Sequence, residues 1–217
     1  MMRTISQWYK HFGVDHIFYD IKIQQNGKDR EISKIDFDSL EKLRDFIMKI
    51  DICGLKKIAR NTVFSDGDPS SEIMIIGEAP GEDEDIQGKP FVGQSGQLLN
   101  NMLRSVGIDR KNVYVSNIIF WRPPGNRNPS SEEIAKCMPY VKCHIKLINP
   151  KVILLLGGVA AKSIFNTNDS VTSMRGKNME YEGIKTVITF HPAYLLRSPE
   201  QKTLAFLDMI KLKKIIL

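Results

Sequence analysis

The apolar residues of this chain change their period partway along it. Between residues 36 and 51 they recur at helical spacing, with Leu40, Leu43, Phe46, Ile47 and Ile50 roughly on one face. That spacing predicts an amphipathic helix. From Ser71 onward, short, largely apolar runs take over, at 73–76, 113–116, 152–156 and 187–190. Runs of this length predict strands buried on both faces. Helical patterns separate them, at 95–106, 131–148, 159–165 and 199–216. Ser131 opens its helix with Glu132 and Glu133 in the first turn, where acids suit the helix dipole. The alternation predicts an α/β fold, a mostly parallel sheet covered by helices on both faces. Residues 1–35 are mixed and polar, with a short aromatic helix candidate around Trp8, Tyr9 and Phe12. The chain therefore reads as a helical extension over residues 1–49 and one domain over residues 50–217.

In such a sheet the carboxyl ends of the strands share an edge, and open α/β folds place their chemistry there. Four segments fall at it. The first is Gly-Glu-Ala-Pro-Gly-Glu-Asp-Glu-Asp-Ile-Gln-Gly-Lys-Pro-Phe-Val-Gly at 77–93, read as an acidic, glycine-punctuated loop. Its Glu78 and Asp85 can orient or activate a water, or simply solvate the loop. Its Phe91 can stack on a flat ring or pack in the core. The second segment is Asn117, whose amide offers a donor and an acceptor to a base edge, or caps a strand end. The third is Gly157-Gly158, a backbone phosphate cradle or a tight strand-to-helix turn. It matches no P-loop, and 77–93 carries no dinucleotide fingerprint. The fourth is His191-Pro192-Ala193-Tyr194-Leu195-Leu196-Arg197. His191 can hydrogen-bond a developing anion or serve structure alone. A rigid basic loop, Arg122-Pro123-Pro124-Gly125-Asn126-Arg127, follows Asn117 and can contact phosphates or lie as a solvated turn. The lysines at 202, 211, 213 and 214 read as a solvated helix face.

Bulk properties narrow the partners. The chain has 217 residues, which suits one α/β domain with an appendage. Its net charge of +6 fits a polyanionic partner without demanding one. No run approaches the length of a membrane span, and residues 1–8 lack a signal-peptide core, so a cytoplasmic protein is expected. Cys53, Cys137 and Cys143 do not make a disulfide framework, and their spacing fits no zinc pattern.

Taken together and in order, these motifs resemble the family 4 uracil-DNA glycosylases. The resemblance rests on Gly-Glu-Ala-Pro-Gly at 77–81, Gly-Lys-Pro-Phe-Val-Gly at 88–93 and Gly-Gln-Leu-Leu at 96–99. It continues through Tyr-Val-Ser-Asn at 114–117, Arg-Pro-Pro-Gly-Asn-Arg at 122–127 and His-Pro-Ala-Tyr-Leu-Leu-Arg at 191–197. It covers roughly residues 50–212, and Trp8-Tyr9 with Gly13-Val14-Asp15 also looks like the N-terminal extension of some bacterial members. It implies a three-layer α/β/α sandwich, a monomeric bacterial enzyme, and hydrolysis of the bond between uracil and deoxyribose in DNA. Phe91 would stack on the flipped uracil, Asn117 would read its Watson–Crick edge, and His191 would sit near its O2. Gly77 and Ala79 would line the base site. Glu78 would orient or activate water, with Asp85 the second candidate. Arg122, Arg127, Tyr194, Leu195 and Arg197 would hold DNA, the segment 192–197 entering the duplex. Thymine would be rejected by the bulk of its methyl group, and cytosine by mismatch to the Asn117 amide.

The chain departs from that pattern at the metal. Members of the family usually hold a 4Fe–4S cluster on four cysteines. Cys53 and Cys137 stand at the second and fourth of those positions, while Ile50 and Trp121 replace the first and third. Two thiolates do not make a four-ligand site. Cys143 lies more than a helical turn from Cys137 and is poorly placed to substitute. No cofactor is therefore expected, with apolar packing in the cluster's place. A non-catalytic DNA-binding protein on the same fold is the alternative reading. A product-trapping enzyme would need a histidine among residues 122–128, and none occurs there.

Overall fold

All four apolar runs lie in one sheet. The computed structural model describes residues 37–217, a compact unit; the aromatic segment around Trp8 lies outside the described residues. The strands are β1 (Asp66–Gly67), β2 (Ile73–Gly77), β3 (Tyr114–Asn117), β4 (Val152–Leu156), β5 (Met179–Tyr181) and β6 (Ile184–Thr189). They pair in the order β1-β3-β2-β4-β6-β5. The central pairings β3-β2, β2-β4 and β4-β6 are parallel, and β1 and β5 add antiparallel edges. β2, β3 and β4 are buried at every position, β2 and β4 as their apolar sequences require and β3 with Ser116 and Asn117 as buried polar residues.

The helices are α1 (Leu40–Lys49), α2 (Glu82–Gln87), α3 (Gln94–Ser105), α4 (Ser131–Ile148), α5 (Gly157–Phe165), α6 (Val171–Met174), α7 (Pro192–Arg197) and α8 (Lys202–Ile216). One face of the sheet presents Ile73, Ile75, Val113, Val115, Val152, Leu154, Leu156 and Val187 to Leu99 and Leu103 of α3 and to Met209 and Leu212 of α8. Alternate strand residues turn to the other face, where Tyr114 meets His144 of α4. Both layers of helix are therefore fixed by the two-residue period of the strands.

Local chemistry sets the helix ends. Ser130 caps α4: its hydroxyl accepts from Glu133 N, and the Glu133 carboxylate accepts from Ser130 N at 2.7 Å. Such a box is worth about 1 kcal/mol. Asn149, at φ 48°, ends the helix in the left-handed conformation that asparagine tolerates. α1 packs Leu43 and Ile47, both fully buried, and sets Phe46 against Tyr140 of α4 at 5.5 Å. The compact unit thus begins ahead of the boundary at residue 50 expected from sequence. Five further elements escaped the periodicity: α2 inside the acidic segment, the short α6, α7 after His191, and the edge strands β1 and β5.

A buried polar cluster joins β3 to α4. The Tyr114 hydroxyl lies 2.7 Å from both Ser65 Oγ and His144 Nε2, and the His144 ring stacks on Phe64 at 4.4 Å. Burial pushes the Tyr114 hydroxyl up to about 12 and the His144 imidazole down to about 3. The unfolded chain therefore binds a proton at His144 that the folded chain refuses. Stability fully present above pH 6.5 is lost as pH falls from 6.5 toward about 3. In urea titrations at pH 7.5 and pH 5, the unfolding midpoint falls at the lower pH. His144→Gln, which keeps a hydrogen-bonding group but cannot titrate, shows a smaller fall.

Candidate active site

The register between β2 and β3 sets Gly77 opposite Asn117 at the carboxyl edge of the sheet. Beyond it the two chains stay together: Ile118 N donates to Gly77 O and Ile119 N to Glu78 O, each at 3.0 Å. Gly77 is a glycine because of what faces it. A Cβ there would lie 2.4 Å from Asn117 Oδ1 and 2.5 Å from Phe91 Cζ. The Asn117 amide and the Phe91 ring therefore converge over one bare stretch of backbone. Asn117 is 2% exposed, and its Oδ1 has no hydrogen-bond partner among the described residues. A buried amide oxygen without a donor costs roughly 1–3 kcal/mol, so this one is poised for a ligand N–H.

His191 completes the wall. Its ring centroid is 5.7 Å from that of Phe91. It is the N-cap of α7, and its Nδ1 accepts from Ala193 N at 3.2 Å. With Nδ1 an acceptor, a neutral ring carries its proton on Nε2 and can donate there. Burial, with a smaller push from Arg197, brings the imidazole down to about 4, so it is neutral at physiological pH. Gly157 lies beneath it: φ is +88°, and a Cβ would meet His191 Cβ at 2.8 Å. That close approach accounts for Gly157 as a tight turn rather than a phosphate cradle.

The acids of 78–85 divide their work. The Glu78 carboxylate is half-buried and has no hydrogen bond or ion pair among the described residues; burial raises its pKa. Ala79 follows it, also half-buried. Asp85 is different, and its expected role with water is corrected here. It lies on α2, 3% exposed, with Oδ1 accepting from Arg60 N at 2.9 Å and Asn61 N at 3.1 Å. Those bonds make it an anchor for the segment before β1. Glu84, which sequence reasoning passed over, is also buried and binds backbone on both sides of the loop.

The expected DNA-contacting residues fare unequally. Tyr194 is exposed, and Arg197 is exposed beside it. Leu195 is 0% exposed and packs with Phe190 and Ala205, so it cannot reach into a duplex from this conformation. The free apolar side chain on α7 is Leu196, 42% exposed. On a helix Leu195 and Leu196 point about 100° apart, so with Leu195 packed inward Leu196 faces away. Arg122 donates from Nε to Asn126 Oδ1 at 2.8 Å, and its guanidinium lies 3.5 Å from Glu82. Arg127 is paired with Glu133 through two bonds of 2.7 and 2.9 Å, and that pairing holds the Glu133 carboxyl down at about 2.

The four-cysteine positions do not form a metal site. Ile50 and Trp121 are buried, 7% and 1% exposed, and neither side chain can ligate iron. Trp121 Nε1 donates to Thr62 Oγ1 at 2.9 Å. Lys56 lies 6.0 Å above the indole and donates to the carbonyls of Met48 and Ile50 at 2.7 and 2.8 Å. Cys53 and Cys137 are buried beside each other, and the neighbouring thiol together with burial raises the pKa of Cys137. Among the described residues no group of three or more metal-ligating side chains occurs. The donor set therefore does not fit the cluster.

Known proteins are similar to this chain over most of its length. The chain is 37% identical over 187 residues to a type-4 uracil-DNA glycosylase of Sulfurisphaera tokodaii, covering 82% of this chain and 85% of that protein. It is 40% identical over 171 residues to the type-4 enzyme of Archaeoglobus fulgidus, with coverage of 75% and 86%. For the type-4 enzyme of Thermotoga maritima the identity is 40% over 181 residues, with coverage of 82% and 94%. The family model of the uracil DNA glycosylase superfamily matches residues 64–211, from Phe64 beside β1 into α8, and the chain belongs to that superfamily.

Proposed function

We propose that this protein is a uracil-DNA glycosylase, which takes uracil out of DNA and hydrolyses its N-glycosidic bond to leave an abasic site. One observation carries the reading: the buried, unpartnered Asn117 Oδ1 beside the Phe91 ring and His191. Uracil offers an N–H at N3 and a carbonyl at O4, which complement the oxygen and nitrogen of the Asn117 amide. Cytosine offers an acceptor at N3 and a donor at N4, so it mismatches both. Reaching the pocket requires the nucleotide to leave the stack, at a cost of a few kcal/mol. Tyr194, Leu196 and Arg197 on the exposed side of α7, with Arg122, form the surface that would meet the displaced strand.

Cleavage places negative charge on the departing uracil and positive charge on the sugar. A neutral His191 donating from Nε2 meets the first of these, and its lowered pKa keeps the ring from losing its donor geometry to a second proton. The Glu78 carboxylate meets the second and orients the attacking water. Its raised pKa gives the acid side of the pH profile a distinct origin. No step passes through a metal, since Ile50 and Trp121 supply no ligands.

Release of uracil from single-stranded and duplex oligonucleotides tests the reading directly. Wild-type protein releases the base; Asn117→Ala and His191→Ala each lose about 10²- to 10³-fold in kcat. A wild-type protein that releases nothing from either substrate refutes it. In the same assay, activity falls with decreasing pH through a value above that of an ordinary glutamate, because the working form is the carboxylate. Glu78→Gln removes that limb and leaves a flat, lower profile. Protein purified without oxygen contains no stoichiometric iron or sulfide and shows no absorbance band near 400 nm; a full complement of iron would contradict the proposed packing.

A further inference from the structure

We propose that Glu84 is the positioning residue for the aromatic wall of the pocket, fixing Phe91 through the backbone without touching substrate. The inference rests on the uracil-glycosylase reading above and adds to it the group that shapes the base site before uracil arrives.

Phe91 holds φ at 56°, in the left-handed region, where a bulky side chain is a genuine outlier. Such a conformation persists only where its surroundings over-determine it. Two segments do so here. On the far side of Phe91, Glu84 Oε1 accepts from Val92 N and from Gly93 N, both at 2.9 Å. The other oxygen, Oε2, accepts from Gly81 N at 3.1 Å, at the start of the helix that carries Glu84. On the near side, Arg110 Nη2 donates to Pro90 O at 3.1 Å while paired with Asp66 at 3.1 Å. Gly96 closes the remaining space, since a Cβ there would lie 1.9 Å from Phe91 O.

Glu84 is 9% exposed, so its charge is held by backbone N–H groups rather than by water. A carboxylate accepting three such bonds is a strong and directional clamp. Both of its oxygens are acceptors here. A glutamine would keep one acceptor oxygen but point its amide hydrogens at an N–H of the same segment. The clamp joins both ends of the acidic segment, Gly81 and Val92–Gly93, so it sets the distance from which Phe91 reaches back to Gly77 and Asn117. Its action is on the shape of the base site alone.

The test compares wild type, Glu84→Gln and Gly81→Ala. The second variant keeps the charge but sets a Cβ 2.7 Å from Glu84 Oε2, pushing the carboxylate off its seat. Five quantities are measured: kcat and KM on a uracil oligonucleotide, inhibition by free uracil, affinity for the same oligonucleotide lacking uracil, and amide exchange at Val92 and Gly93. Glu84→Gln raises the uracil inhibition constant about tenfold, equivalent to about 1.4 kcal/mol, and speeds exchange at both amides. Affinity for undamaged DNA is unchanged, and Gly81→Ala shifts the same quantities less. Unaltered uracil inhibition and exchange in Glu84→Gln overturn the proposal. So does a parallel loss of DNA affinity, which would mark general disorder of the fold; if Glu84→Gln does not fold, unaltered values in Gly81→Ala overturn it instead. A wild-type protein that neither releases nor binds uracil sinks the functional reading, whereas failure confined to the variants sinks only this inference.

Discussion

The parallel pairing of β2 with β3 is the constraint on which the site depends. Gly77 stands opposite Asn117, and the two extra bonds beyond the strand ends keep the chains together through Glu78 and Ile119. A slip of one residue would turn every side chain to the other face of the sheet. Asn117 would leave the pocket, and the bare backbone under Phe91 would acquire a side chain. The register is protected because both strands are buried on both faces, so a slip would also misplace Ile75 and Val115 in the core. Catalytic geometry and core packing are therefore one requirement here, enforced by the same hydrogen bonds.

The acid-rich segment shows how like residues acquire unlike roles. Glu78 follows a strand end, half-buried and without a hydrogen bond or ion pair at its carboxylate among the described residues. Glu84 and Asp85, neighbours on one turn of helix, face different loops and are consumed in holding them. Acids that satisfy backbone N–H groups are already spent electrostatically; only one that burial leaves unsatisfied keeps its affinity for a developing positive charge.

Much of this was legible in the sequence, for reasons that can be named. β2 and β4 announced themselves because burial on both faces leaves them without charged or polar side chains, and β3 and β6 by their short apolar stretches. α4 matches the expected 131–148, where Glu132 and Glu133 in the first turn and the helical pattern agree; the Ser130 cap itself was not read. Gly77, Glu78, Phe91, Asn117 and His191 were singled out by their ordered motifs, and the structure brings Gly77, Phe91, Asn117 and His191 together. The misreadings have a common cause. Asp85 and Leu195 lie on short helices that Gly81, Gly88 and Pro192 disguise as loop, and on a helix the direction of a side chain, not its position in a motif, decides what it meets. Glu84 was missed because its partners are backbone atoms, which no pattern of side chains records.

The replacement of two ligand positions by Ile50 and Trp121 reaches beyond packing. A loop pinned by an indole, a threonine hydroxyl and a lysine ammonium has no oxidation state. Those contacts form from the polypeptide's own groups, so the anchoring of this loop asks for neither iron nor sulfide at positions 50 and 121.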